Sequence, residues 1–96
     1  MTLSKQAIEA LEQFPSASAD ALKNYFELGW EPGSFITALL MNDLKATCAC
    51  TDSQNIRLIV EYVRWLYNYA PSVSWGSPEK VMYWIRQFKT EEQANV

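Results

Sequence analysis

Residues 55–70 read NIRLIVEYVRWLYNYA, and the rest of the chain is organised around them. Read as a helix, this stretch has two apolar faces. Ile56, Ile59, Val60, Val63, Leu66, Tyr67 and Ala70 recur at the i, i+3, i+4, i+7 spacing that makes one stripe. Leu58, Tyr62, Trp65 and Tyr69 recur at steps of four, three and four and make a second. Arg57, Glu61, Arg64 and Asn68 are left for water. A helix apolar over most of its circumference has others packed on several sides. The pattern therefore predicts a central helix near residues 53–70.

The flanks carry clear helix ends. Upstream, Thr51, Asp52 and Ser53 are all good N-cap types, and one of them starts the central helix. Downstream, Pro71 stops it. Before it, Pro32 or Ser34 opens a helix with Phe35, Ile36, Leu39, Leu40 and Leu44 inward. Asn42 and Asp43 then sit on that helix's solvent edge or at a buried polar junction, and the helix frays across residues 47–50. A first helix spans residues 4–13, capped by Ser4 or Thr2 and ended by Pro15. Ser18 caps a second, with Leu22, Tyr25 and Phe26 on its apolar edge and Gly29 where a left-handed cap belongs. Ser77, Pro78 and Glu79 open the last helix, whose apolar face is Val81, Met82, Trp84, Ile85 and Phe88. No strand alternation interrupts this series. The expectation is all-α: a compact bundle of about five short-to-medium helices in one domain, residues 1–90, followed by a disordered polar tail at 91–96.

Composition excludes several functions. The chain has no histidine, so Ser-His and Cys-His catalysis cannot be built within it. Cys48 and Cys50 flank one alanine, too close for an easy disulfide and too few for a zinc site; they read as inert reduced thiols. Asp43 and Asp52 are the acids nearest hydrophobic sequence in mid-chain, and a helix edge and a cap account for them. Three scattered glycines make no phosphate-cradling loop. A net charge of −3, with no cluster of Lys or Arg, argues against direct nucleic-acid binding. The longest apolar run, residues 35–41, is too short for a membrane span, and the N-terminal residues turn polar too early for a signal peptide. The chain reads as a cytoplasmic protein, not an enzyme, needing no cofactor and no metal.

Two constellations remain: Gly33, Ser34 and Phe35 followed by Asn42 and Asp43, and Trp75, Gly76 and Ser77. The plainer reading is structural. The glycines permit tight turns, Ser34 and Ser77 cap helices, and Phe35 and Trp75 pack inward. The functional reading takes the helix N-termini at Ser34 and Ser77 as anion sites. Trp30, Trp75 or Tyr67 would stack on a ring, and Arg57, Arg64 and Lys80 would add charge.

The succession P-S…A-L-x-x-Y…G-x-x-P-G-S-F…N-D-L…D-x-x-N…Y-N-x-x-P…W-G-S-x-E…W-I runs through residues 14–86. It is carried by Pro15, Ser16, Ala21, Leu22, Tyr25, Gly29, Pro32, Gly33, Ser34, Phe35, Asn42, Asp43 and Leu44. It continues in Asp52, Asn55, Tyr67, Asn68, Pro71, Trp75, Gly76, Ser77, Glu79, Trp84 and Ile85. This pattern resembles a widespread group of small helical proteins of tailed bacteriophages. The group has no assigned chemistry, so the resemblance implies a phage setting and no catalytic residue. Thr47, Cys48, Ala49 and Cys50 depart from it, standing where the group has glycine and a basic residue.

These features rank three expectations. The first is a non-enzymatic phage-type protein that modulates or inhibits a host machine, such as antiviral defence, by protein–protein contact through Trp30, Trp75 and Tyr83. The second is an oligomeric sponge for a nucleotide-like signal molecule near Ser34 and Ser77. The third is a self-assembly module using one stripe of the central helix. The candidate partner- or ligand-binding residues are Trp30, Ser34, Asn42, Asp43, Trp75, Ser77 and Tyr83.

Overall fold

The computed structural model describes the backbone of residues 1–94 and the side chains of residues 1–89. The tail expected at 91–96 lies outside the residues described in full. Six α-helices follow in order: α1 (Lys5–Ala10), α2 (Ser16–Leu28), α3 (Ser34–Leu40), α4 (Leu44–Cys50), α5 (Ile59–Tyr69) and α6 (Pro78–Ala94). Short 3-10 turns cover Leu11–Gln13, Asn55–Leu58 and Ser72–Ser74, and the described residues contain no strand. The radius of gyration is 13.1 Å, against about 13 Å for a compact domain of this length. The protein is an all-α compact bundle. No helix among the described residues is long and apolar enough to cross a membrane.

Local chemistry sets most helix ends. Ser4 Oγ accepts from the Ala7 N–H (3.1 Å) and caps α1. Gly29 closes α2 at φ 71°, a left-handed conformation that costs little only without a Cβ. A Cβ there would also run into the Phe88 ring, so glycine brings α6 close to the end of α2. Asp52 Oδ1 accepts from the N–H groups of Gln54 and Asn55 (3.1 and 2.7 Å) and opens the turn leading into α5. Ser77 Oγ accepts from the Lys80 N–H (3.3 Å) at the start of α6.

Three expectations about these ends are corrected. Ser18 caps nothing: α2 starts at Ser16, and the buried Ser18 hydroxyl donates to Asn55 Oδ1. Ser34 is the first residue of α3 rather than its cap; Gly33 stands at that position and no side chain bonds there. The third helix does not run on past residue 40. Asn42 takes a left-handed φ of 61°, its N–H donates to Leu39 O (3.2 Å), and the Asp43 N–H reaches Ala38 O (3.0 Å). This is a Schellman cap with asparagine in place of glycine. Asp43 then starts α4, its Oδ1 accepting from the Ala46 N–H at 3.0 Å. The break sends α4 back against α3, and Leu44, expected inward, is 70% exposed.

One stripe of the 55–70 segment organises an aromatic core. Tyr62 stacks on Phe14 with centroids 4.0 Å apart and meets the edge of Phe35. Trp65 tilts against Phe26 and donates its indole N–H to Ala7 O at 3.0 Å, joining α5 to α1. Trp84 on α6 donates likewise to Tyr25 O on α2, at 2.9 Å. Each fully buried ring or large aliphatic side chain here contributes about 1.5–3 kcal/mol. The other stripe behaves differently. Leu66 is buried and Ile59, Val63 and Ala70 are half-buried, but Ile56, Val60 and Tyr67 face solvent. Because α4 folds back on α3, it leaves this flank of α5 uncovered.

Candidate functional site

The uncovered flank of α5 forms one wall of an open cleft of about 390 Å³. Small-molecule sites commonly measure about 300–1,000 Å³. The α3–α4 corner contributes Leu39, Asn42, Asp43, Leu44 and Thr47. Helix α5 contributes Ile59, Val63 and Tyr67, and the segment into α6 contributes Ala70, Ser72, Trp75, Gly76 and Lys80.

The third wall is held by buried hydrogen bonds. Pro71 ends α5, and the chain turns through Ser72–Ser74. The fully buried Ser74 donates its hydroxyl to Pro71 O (2.6 Å), and its carbonyl accepts from the Tyr25 phenol (2.7 Å). The Gly76 N–H then donates to Leu40 O at 2.7 Å. That bond satisfies one of the carbonyls that α3 leaves free at its C-terminus. It also ties the Trp75 segment to the Asn42 corner. Gly76 has φ 111°, a conformation open to glycine, and a Cβ there would lie 3.8 Å from Lys80 Nζ. The lysine ammonium therefore stands beside bare backbone.

Trp75 and Tyr67 meet edge to face, centroids 5.0 Å apart at 87°. Tyr67 is 77% exposed and Trp75 half-buried. Their polar atoms differ from those of the core. The indoles of Trp65 and Trp84 and the phenols of Tyr25 and Tyr62 all donate within the chain. Burial raises the Tyr25 and Tyr62 phenols above the ordinary value. The Trp75 indole N–H, the Tyr67 and Ser72 hydroxyls, the Asn42 amide and the Lys80 ammonium have no partner among the described residues. Asp43 Oδ1 is engaged at α4, while Oδ2 has no partner there. The cleft thus joins two aromatic rings and an aliphatic wall to a ring of unused donors and acceptors. No hydroxyl in it hydrogen-bonds to a basic side chain; Thr47 Oγ1 donates to the Asp43 carbonyl.

Of the residues singled out in the sequence, Asn42, Asp43 and Trp75 come together here. Ser77 follows the cleft-lining Gly76 and holds the first turn of α6. Ser34 lies elsewhere, in a shallower depression with Pro32, Met41 and Cys50, which shares only Asp43 with the cleft. Trp30 and Tyr83, 60% and 53% exposed, line neither depression. Leu44, Ile59, Val63 and Ser72 also line the cleft, and the sequence does not single them out as site residues. Ile59 and Val63 belong to the stripe of residues 55–70 that is only partly buried, which is their one sequence signal; Leu44 and Ser72 carry none. Cys48 and Cys50 are free, exposed thiols, and no group of metal-ligating side chains forms among the described residues.

No family model, curated protein or solved structure matches this chain.

Proposed function

We propose that this chain is a non-enzymatic binding protein that captures a small nucleotide-like molecule in the cleft between the α3–α4 corner, α5 and the Trp75 segment. The observation that carries the reading is the Tyr67–Trp75 ring pair. It stands at the cleft with both polar atoms unused, while the core indoles and phenols are bonded within the chain. With the two rings perpendicular, the face of one can stack on a planar ring while the other borders it, and the surrounding Asn42, Ser72 and Lys80 offer orientation. In the phage setting that the sequence pattern implies, the protein would act in the host cytoplasm as a sponge for a signal. A ligand at a hundred times its Kd stabilises the folded state by about 2.7 kcal/mol. A panel of linear and cyclic nucleotides should therefore contain compounds that raise the melting temperature, and Tyr67→Ala should abolish the rise. A flat response to the whole panel at saturating concentration would sink this reading.

A second reading, modulation of a host machine by protein–protein contact, is favoured by Trp30 and Tyr83, large rings held in solvent away from the cleft. Exposed aromatic anchors of this kind carry about 2 kcal/mol or more of binding when an interface covers them. Partner capture that survives Trp30→Ala with Tyr83→Ala, yet fails in Tyr67→Ala, would reject those two rings as the contact.

A further inference from the structure

The cleft is chemically two-sided. The segment leading into α6 is rich in donors: the Trp75 indole N–H and the Lys80 ammonium, which can only donate, and the Ser72 hydroxyl, which can also accept. The α3–α4 corner presents the Asn42 amide and the free Asp43 Oδ2, which between them accept from N–H groups. The aromatic pair and Val63 lie along the wall that completes the cleft. Lys80 is the one cation lining the cleft, and it has no ion-pair partner among the described residues. The chain is otherwise acidic, at −3. An anion brought to Lys80 therefore meets local attraction against a mildly repulsive background, which confines it to the α6 side.

Resting on the reading of this cleft as a small-molecule site, we infer that the ligand is a nucleoside phosphate whose two ends are recognised separately. A phosphate sits at Lys80, with Ser72 and Trp75 as neutral donors. The base stacks on one ring of the perpendicular Tyr67–Trp75 pair, with its N–H edge turned to Asn42 and Asp43. The arrangement disfavours a plain hydrophobic occupant, which would use none of the donors of the α6 side, and an unphosphorylated nucleoside, which leaves Lys80 unused. Asn42 has two roles in this scheme. Its left-handed backbone makes the corner, and its amide faces the cleft. Asn42→Gly separates them, because glycine keeps the backbone and removes the amide.

Isothermal titration of guanosine, adenosine and cytidine, each beside its 5′-monophosphate, tests the assignment. At least one monophosphate should bind more tightly than its nucleoside by roughly ten- to a hundredfold, the scale of a hydrogen bond to a charged group. Lys80→Met, a change at an exposed helix position, should bring that monophosphate down to the nucleoside's level and leave the nucleoside's affinity as it was. Asn42→Gly should weaken both compounds by similar factors. Equal affinities for nucleoside and monophosphate, unaltered by Lys80→Met, would overturn the two-ended assignment while leaving a small-molecule site in place. Absence of binding by all six compounds would overturn the site and the assignment together. Circular dichroism of both variants, expected to match the parent, keeps loss of folding apart from loss of contact.

Discussion

The phenol of Tyr25 on α2 donates to the carbonyl of Ser74, 49 residues further along the chain, in a buried hydrogen bond of 2.7 Å. The next residue after Ser74 is Trp75, so a core tyrosine fixes the segment that carries a cleft ring. Gly76 N–H to Leu40 O fixes the same segment from the other side. The cleft is therefore a rigid extension of the core on this side.

Tyr25→Phe removes the donor and leaves the Ser74 carbonyl buried without a partner. The expected cost is about 1–3 kcal/mol in urea denaturation. Amide hydrogen exchange should quicken across residues 72–76 before it changes in α1. A midpoint equal to the parent's would mean that the carbonyl is satisfied in another way and that the bond does not hold the segment.

The same burial predicts alkaline sensitivity. Desolvation raises the Tyr25 phenol above the ordinary 10.0. It also raises Tyr62, and the Asp52 charge adds to the shift. A phenol with a raised folded value stays protonated in the native state when the unfolded chain has lost its proton. Stability is therefore fully present below about pH 10 and falls as pH rises further, by about 1.4 kcal/mol per pH unit for each such phenol. Denaturation midpoints measured between about pH 9 and 11 should show this fall. Tyr25→Phe should reduce the fall to the share that Tyr62 contributes; an unchanged slope in that variant would assign the effect elsewhere.

At the α3–α4 corner, backbone and side chain can be separated. Asn42 at φ 61° tolerates a conformation that most residues avoid. Asn42→Ala should lower stability by about 1 kcal/mol or slightly more, whereas Asn42→Gly should stay close to the parent. Thermal melts of the two variants decide it. If alanine were as stable as glycine, the left-handed corner would not be the native geometry.

Trp65 and Tyr67 are two residues apart in one helix, yet 1% and 77% exposed. Trp65→Glu would bury an unpaired charge among Phe26, Tyr69 and Ala7 and should unfold the domain. Tyr67→Glu should leave the circular dichroism spectrum intact and abolish ligand-dependent stabilisation. A folded Trp65→Glu protein would place the core on the wrong stripe of α5.

Helix ends governed by adjacent residues were legible because their chemistry is local. Ser4, Gly29, Pro71 and Ser77 each act within a few residues, so their types and spacing suffice. Asn42 escaped this logic. Asparagine enters the left-handed region less freely than glycine, and nothing beside it marks whether the chain turns there or continues as helix. Ser18 and Asn55 escaped it too. Both look like surface or capping residues, but Ser18 and Tyr62 donate to the same Asn55 oxygen from distant parts of the chain. Asn42 with Asp43, and Trp75 with Gly76 and Ser77, stand out in the sequence as two separate groups; their meeting depends on the bonds from Tyr25 and Gly76.

The central stretch shows the division most clearly. Its periodicity alone determined that this stretch holds a helix with two apolar stripes, because both properties follow from 3.6 residues per turn and side-chain type, although the α-helix covers only Ile59–Tyr69 and Asn55–Leu58 enters it as a 3-10 turn. Tertiary structure alone decided that Tyr62 and Trp65 enter the core while Tyr67 stands over a cleft. Which stripe is covered depends on where α4 goes after Asn42, and that is settled by packing between segments far apart in the chain.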